Sequence, residues 1–152
     1  MLIEVLVEEP LWRDADLEAL AGRACGAVLG HLGLAAAQAE ISLLGCDDRR
    51  IAALNRQFRD KPAATNVLSW PSGWQPGMPV GELGDIAIAY QTCAREARDQ
   101  GKDLDDHVTH LLVHATLHLL GYDHMHEKEA ALMEGLEAEI LGILGISDPY
   151  EA

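Results

Sequence analysis

"DLDDHVTHLLVHATLHLL", residues 103–120, is the segment on which the reading of the fold turns. Leu104, Val108, Leu111, Leu112, Val113, Leu117, Leu119 and Leu120 leave almost no polar face, and a helix apolar on most sides is a buried one. At about 100° per residue, His107, His110, His114 and His118 fall on a single stripe roughly 80° wide. Several unpartnered imidazoles side by side are costly to bury, because each needs a hydrogen bond and protonated neighbours repel. A shared metal ion resolves both problems. An i, i+4 histidine pair presents two nitrogens that converge on one ion at about 2 Å, as in H-E-x-x-H zinc sites. Gly121 stands where a left-handed residue ends a helix and turns the chain, so that His124 swings back toward the same point. The expected ligands are therefore His114, His118 and His124. His110, one turn further back, is expected to support them rather than to ligate, and His107 and His126 are read as ordinary hydrogen-bonded residues. Imidazole ligation suits zinc, with nickel, copper and iron also compatible by ligand type. Three protein ligands leave a fourth position for water or substrate, as catalytic zinc sites do. Protease motifs of this spacing carry a glutamate where this chain has Ala115, which disfavours glutamate-assisted peptide hydrolysis and leaves either a metal-bound hydroxide acting alone or another carboxylate, for instance Asp123, as base.

Outward from this helix, "LIEVLVE" (2–8) alternates as a strand closed by Pro10. A helix follows, with Asp14 as its N-cap and Leu17, Leu20, Ala21, Ala24, Val28 and Leu32 on one face. "AEISLLGCD" is a second strand, and the helix between makes a parallel βαβ pairing the economical topology. Asp47 or Asp48 caps the next helix, whose Ile51, Leu54 and Phe58 share a face and which Pro62 ends. "TNVLSW" and "GELGDIAIA" are two further strands around the Pro- and Gly-rich loop "PSGWQPGMPVG". After residue 90 the chain is nearly all helical, broken at Gly101 and Gly121, and ends in a helix carrying Leu132, Met133, Leu136, Ile140, Ile143 and Leu144. There is no internal repeat.

The 152 residues suffice for one domain with a core of its own, held by neither metal nor disulfides. The opening residues lack a basic n-region and read as a strand rather than a secretion signal, and no apolar run of about 18 residues is present to span a membrane. Cys25, Cys46 and Cys93 are odd in number and widely spaced, which excludes a disulfide framework and fits a reduced, cytoplasmic protein. A formal charge of −14 opposes broad attraction to nucleic acid. Yet five of the eleven Lys and Arg residues (Arg49, Arg50, Arg56, Arg59 and Lys61) fall between positions 49 and 61, either as a solvated helix face or as a basic patch that would line a local channel on an acidic body.

Three motifs in order now carry a resemblance. "HATLHLLGYDH" resembles the H-G-x-L-H-L-x-G-Y-D-H signature of the YbeY family of bacterial rRNA maturation factors, metal-dependent endoribonucleases. "LNRQFRDKPAATNVLSWP" is similar to that family's N-x-x-[FY]-R segment followed by T-[DN]-V-L-S-F-P, and "LGDIAIA" to its next strand. Together they span most of residues 50–145. The resemblance implies an α+β, zincin-like single domain over residues 1–152, a small mixed sheet of about four strands packed on helices, and the metal on the buried central helix. It implies that His114, His118 and His124 bind one zinc ion and that catalysis depends on His114 and Arg59. The activity implied is single-strand-specific, zinc-dependent endonucleolytic cleavage of ribosomal RNA, in 3′ end maturation of 16S rRNA and in ribosome quality control. Small-subunit ribosomal proteins and an assembly GTPase are the implied partners. A guanidinium with two parallel donors suits a phosphodiester whose charge grows in the transition state, which is the role implied for Arg59. Two positions depart from the motif: Ala115 replaces a glycine, adding a methyl expected to narrow the site, and Trp70 replaces a phenylalanine. A zinc peptidase and a noncatalytic assembly factor with a closed metal shell are the competing readings.

Overall fold

The structure, a computed structural model, describes residues 1–123 and 125–150. The period-two pattern at the start forms strand β1 (Leu2–Val7), with Ile3, Val5 and Val7 packed on the core and Leu2, Glu4 and Leu6 facing out. A single helical turn, α1 (Leu11–Asp14), precedes the long helix α2 (Leu17–His31). The N-cap expected at Asp14 is therefore displaced to Asp16, whose carboxylate accepts from the Ala19 amide at 3.4 Å. Pro10, at φ −58°, already sets up a helical turn before Leu11, and Asp16, at φ 54°, breaks that turn from α2.

Strand β2 (Glu40–Cys46) pairs parallel with β1, Ile3 opposite Ile41 and Val5 opposite Leu43, with α2 as the crossover. Helix α3 (Asp48–Arg59) is capped by Asp47, whose carboxylate accepts from the Arg50 amide at 2.8 Å. Asp48 ties α3 to its neighbour instead, accepting from the Thr92 amide at 2.9 Å and the Thr92 hydroxyl at 2.7 Å. The helix stops at Arg59, before Pro62, because Asp60 turns left-handed (φ 55°). Strands β3 (Val67–Pro71) and β4 (Glu82–Ala89) follow, then helices α4 (Tyr90–Gln100), α5 (Leu104–Leu119) and α6 (Glu127–Ile143).

The sheet order is β1-β2-β4-β3, with β4 parallel to β2 and β3 antiparallel on the edge beside β4. This is the expected α+β architecture with a four-stranded mixed sheet. Helices α2 and α5 pack on its inner face, where Ile41, Leu43, Ile86 and Ile88 meet Leu20, Ala24, Val28, Leu112, Val113 and Leu117. Helix α3 closes part of the outer face over a smaller core of Cys46, Ile51, Leu68, Ala87 and Ala89. Burying a side chain such as Ile51 contributes about 1.5–3 kcal/mol. Trp12 locks α1 to the end of β2 through an indole N–H to the Cys46 carbonyl at 3.0 Å. Cys25, Cys46 and Cys93 are free and buried. No helix among the described residues is long and apolar enough to cross a membrane.

Candidate metal and phosphate site

Helix α5 is as deeply buried as its composition demands, with Leu112, Val113, Leu117 and Leu119 fully enclosed. Beyond its first turn only His110, His114 and His118 emerge. His110, His114 and His118 line a cleft of about 700 Å³ together with Ser69, Trp70, Arg59, Asp123 and Tyr150. The cleft thus lies between α5 and the edge strand β3, with the last turn of α3 and the C-terminal tail on its rim. Edge position matters, since a central strand in place of β3 would close this space.

His118 and Ser69 share a hydrogen bond of 2.5 Å through His118 Nδ1. His114 Nδ1 donates to Glu137 Oε1 at 2.6 Å. The two rings are therefore each held at Nδ1 by an oxygen, the arrangement seen around metal-ligating histidines, whose second nitrogen is oriented by a carboxylate or other polar partner. The donor set fits a borderline-soft divalent ion: two imidazoles one helical turn apart on the wall of one cleft. His124, the third expected ligand, lies outside the described residues, and among the described residues no three His, Cys, Asp or Glu side chains are grouped to hold a metal. The turn that precedes it is described. Gly121 is left-handed (φ +100°), its amide donates to the His118 carbonyl at 3.0 Å and the Tyr122 amide to the Leu117 carbonyl at 3.1 Å. These two bonds form a Schellman stop, as the glycine led us to expect.

Arg59 is exposed and faces the cleft. The arginine ion pairs among the described residues are those of Arg50 with Glu8 at 3.4 Å and Arg95 with Asp48 at 3.7 Å, so no carboxylate of the described residues pairs with Arg59. Phe58 beside it is 56% exposed and rests edge-on against Trp70, ring centroids 5.4 Å apart, which anchors the end of α3 to β3. Phe58 thus packs on the cleft wall rather than in the core face shared by Ile51. The basic cluster does not line a channel as a set. Of its five residues Arg59 alone is among the described cleft-lining residues, because α3 presents Arg49 and Arg56 to solvent and Arg50 to Glu8.

His107 follows the ordinary reading. It is buried against Glu96, Nε2 to Oε1 3.0 Å. His110 directs Nε2 toward Glu137 Oε1 at 3.5 Å, in keeping with a supporting role. Ala115 corrects an expectation. It is 1% exposed within the main core, so its methyl packs inward and does not narrow the cleft. Asp123 lines the cleft and accepts from the Met125 amide at 3.1 Å.

Sequence reasoning missed Glu137, Ser69 and Tyr150. Glu137 on α6 is 0% exposed and accepts from His114, from His110 and, at 2.6 Å, from the Tyr150 hydroxyl. Burial by itself raises the pKa of such a carboxyl, but the bonds from His110, His114 and Tyr150 outweigh it and hold the group down to about 2. The signal was present, for Glu137 stands four residues from both Met133 and Leu141 on the buried face of α6, where an acid needs a partner.

A helix-borne imidazole pair thus shares one cleft with a guanidinium that has no ion pair among the described residues, the arrangement of a candidate hydrolase site. Comparison with known proteins then gives the family. Residues 7–145 match the family model described as Endoribonuclease YbeY. The protein named endoribonuclease YbeY of Paracoccus denitrificans is 55% identical, the match covering 97% of this chain and 89% of that protein. Its namesake from Dinoroseobacter shibae is 53% identical over 98% of this chain and 90% of its own length. The solution structure of TM1509 from Thermotoga maritima shares the fold at a TM-score of 0.60 and 22% identity, over 99% of this chain and all of that one. The chain belongs to the endoribonuclease YbeY family.

Proposed function

We propose that this chain, as one domain over residues 1–152, is a single-strand-specific, zinc-dependent endoribonuclease of rRNA processing. It acts in 3′ end maturation of 16S rRNA and in ribosome quality control. In this reading His114, His118 and His124 hold one zinc ion, Arg59 binds the scissile phosphate, and the enzyme works in the cytoplasm with small-subunit ribosomal proteins and an assembly GTPase. The observation that carries it is the shared cleft: Arg59 from α3 and the His114–His118 pair from α5 line one space.

When bound, zinc supplies a Lewis acid for a phosphoryl oxygen and lowers the pKa of a water. The chain's own residues do the rest. Arg59, with no carboxylate partner among the described residues, is available to offer two parallel N–H donors to the non-bridging oxygens, where negative charge grows. Ser69 and Glu137 fix the rings of His118 and His114. Trp70 and Phe58 give the cleft an aromatic wall, which suits unstacked bases of a single strand.

The test is cleavage of a purified rRNA 3′-end precursor by wild type, Arg59→Ala and His114→Ala, with metal content measured in parallel. Arg59→Ala retains the metal and loses about 100-fold or more in turnover, the typical cost of one donor to a developing oxyanion. His114→Ala loses both metal and activity. Equal cleavage by all three overturns the assignment.

A further inference from the structure

We propose that Glu137 is the positioning residue of His114 and that Tyr150 latches it, so that the C-terminal tail is a working part of the site. The proposal rests on the reading of His114 as a metal ligand and adds to it the groups that hold that ligand in place.

The geometry leaves Glu137 little alternative use. Its carboxylate is fully enclosed between α5 and α6, and one oxygen, Oε1, receives His114 Nδ1 at 2.6 Å with His110 Nε2 at 3.5 Å. The other, Oε2, receives the Tyr150 hydroxyl at 2.6 Å. A buried carboxylate is tolerated only when its lone pairs are met, and here three side chains from α5 and the tail meet them. An imidazole whose Nδ1–H is committed to a carboxylate has a defined tautomer and presents Nε2 as the ligating atom.

Tyr150 reaches the carboxylate from beyond α6. Asp148 accepts from the Tyr150 amide at 2.8 Å, which bends the tail back, and the phenol ring meets the His110 ring edge-on at 5.7 Å. Pro149, next to it in sequence, restricts the tail further. Nothing in a surface tail requires a tyrosine whose hydroxyl ends on a buried acid.

The experiment uses the full chain, first stripped of metal. Proton–nitrogen correlation spectra of the histidine rings report the tautomer of His114 and the shift of its Nδ1 proton, with no zinc present. Zinc affinity is then measured against a competing chelator. In the wild type His114 is the Nδ1–H tautomer with a strongly deshielded proton. Glu137→Gln, which keeps size and an acceptor, moves that proton upfield. Glu137→Leu abolishes the tautomer preference and weakens zinc by about 10–100-fold, the usual cost of losing a ligand's partner. Glu137→Gln recovers part of that loss, and Tyr150→Phe, removing one donor, costs less than about tenfold. A His114 proton that does not move in Glu137→Gln overturns the role of Glu137 even if the leucine variant fails to fold. Wild-type zinc affinity in Tyr150→Phe overturns the latch. Zinc affinity unchanged in His118→Ala overturns the metal reading itself, and the metal-free spectra still decide the role of Glu137.

Discussion

Gly84→Ala is the substitution that most directly tests how the sheet sets the site. Gly84 lies in β4 at φ +139°, opposite Pro71 of β3 and beside the register shift at Glu40/Ile41 of β2. An added Cβ would stand 2.2 Å from the Trp70 carbonyl oxygen, 2.9 Å from Leu119 Cδ2 and 3.2 Å from Pro71 Cα. Two of these three atoms are backbone, so the clash cannot be relieved by a rotamer change. Forcing an L-residue into this backbone region costs about 1–3 kcal/mol, and overpacking the junction adds about 1–3 kcal/mol. The sum, about 2–6 kcal/mol, is a large share of the roughly 5–15 kcal/mol by which a domain is stable. The movement that relieves the clash separates β3 from α5, which is where Ser69 holds His118. Urea unfolding is the assay. With a slope of about 2 kcal/mol per molar, the midpoint falls by about 1–3 M. On the proposed metal site zinc affinity falls with it, since the His118 ring loses its bond to Ser69. A midpoint within about 0.2 M of wild type, with zinc binding intact, would refute the claim that Gly84 sets the spacing of β3, β4 and α5.

The thiols and the salt response give two further expectations. Burial pushes Cys25 up to about 11, against a smaller opposing effect of its Thr116 bond, and Cys46 up to about 12, while Cys93 is raised further still by burial and the nearby acids. The thiolate is the reactive form, so at pH 8 none of the three reacts with a disulfide reagent in the folded protein and all three react on unfolding; rapid labelling of native protein would contradict this. With Arg59 the described cation of the cleft on a body of charge −14, free single-stranded RNA binds weakly, and log K falls against log salt with a slope no steeper than about −2, measured by fluorescence anisotropy. A slope near −5 with tight binding would show that a wider basic surface meets the RNA.

What was legible in the sequence divides by the range of the interactions. Helix α5 declared itself because burial on nearly all sides leaves a composition that only a central helix has, and the histidine stripe stood out against it. The parallel pairing of β1 with β2 followed from an alternating strand, a helix of the right length and a second apolar strand. Errors arose where one residue's backbone decided the matter. Asp14 satisfies every composition rule for a cap, yet Pro10 starts the turn early and Asp16 takes the role. The helix over the basic cluster of residues 49–61 was itself legible, but which of its charges reach the cleft was not, since a helix distributes adjacent charges around its circumference.

The second layer of the site was illegible for a different reason. Ser69, Glu137 and Tyr150 reach the α5 histidines from β3, α6 and the tail, at separations of 49, 23 and, through His110, 40 residues. No local spacing rule spans such distances. What a sequence does expose is the mismatch each residue creates at home. An acid on the buried stripe of α6 is an unmet cost, and so is a row of imidazoles on the most deeply buried of the described helices. Each anomaly is the other's partner: the carboxylate that α6 cannot solvate supplies the acceptor that His114 needs, and the fold brings them within 2.6 Å. Polar residues that violate the binary pattern on two separate helices are thus best searched as pairs, because a buried charge persists only where a second buried group has reason to be there.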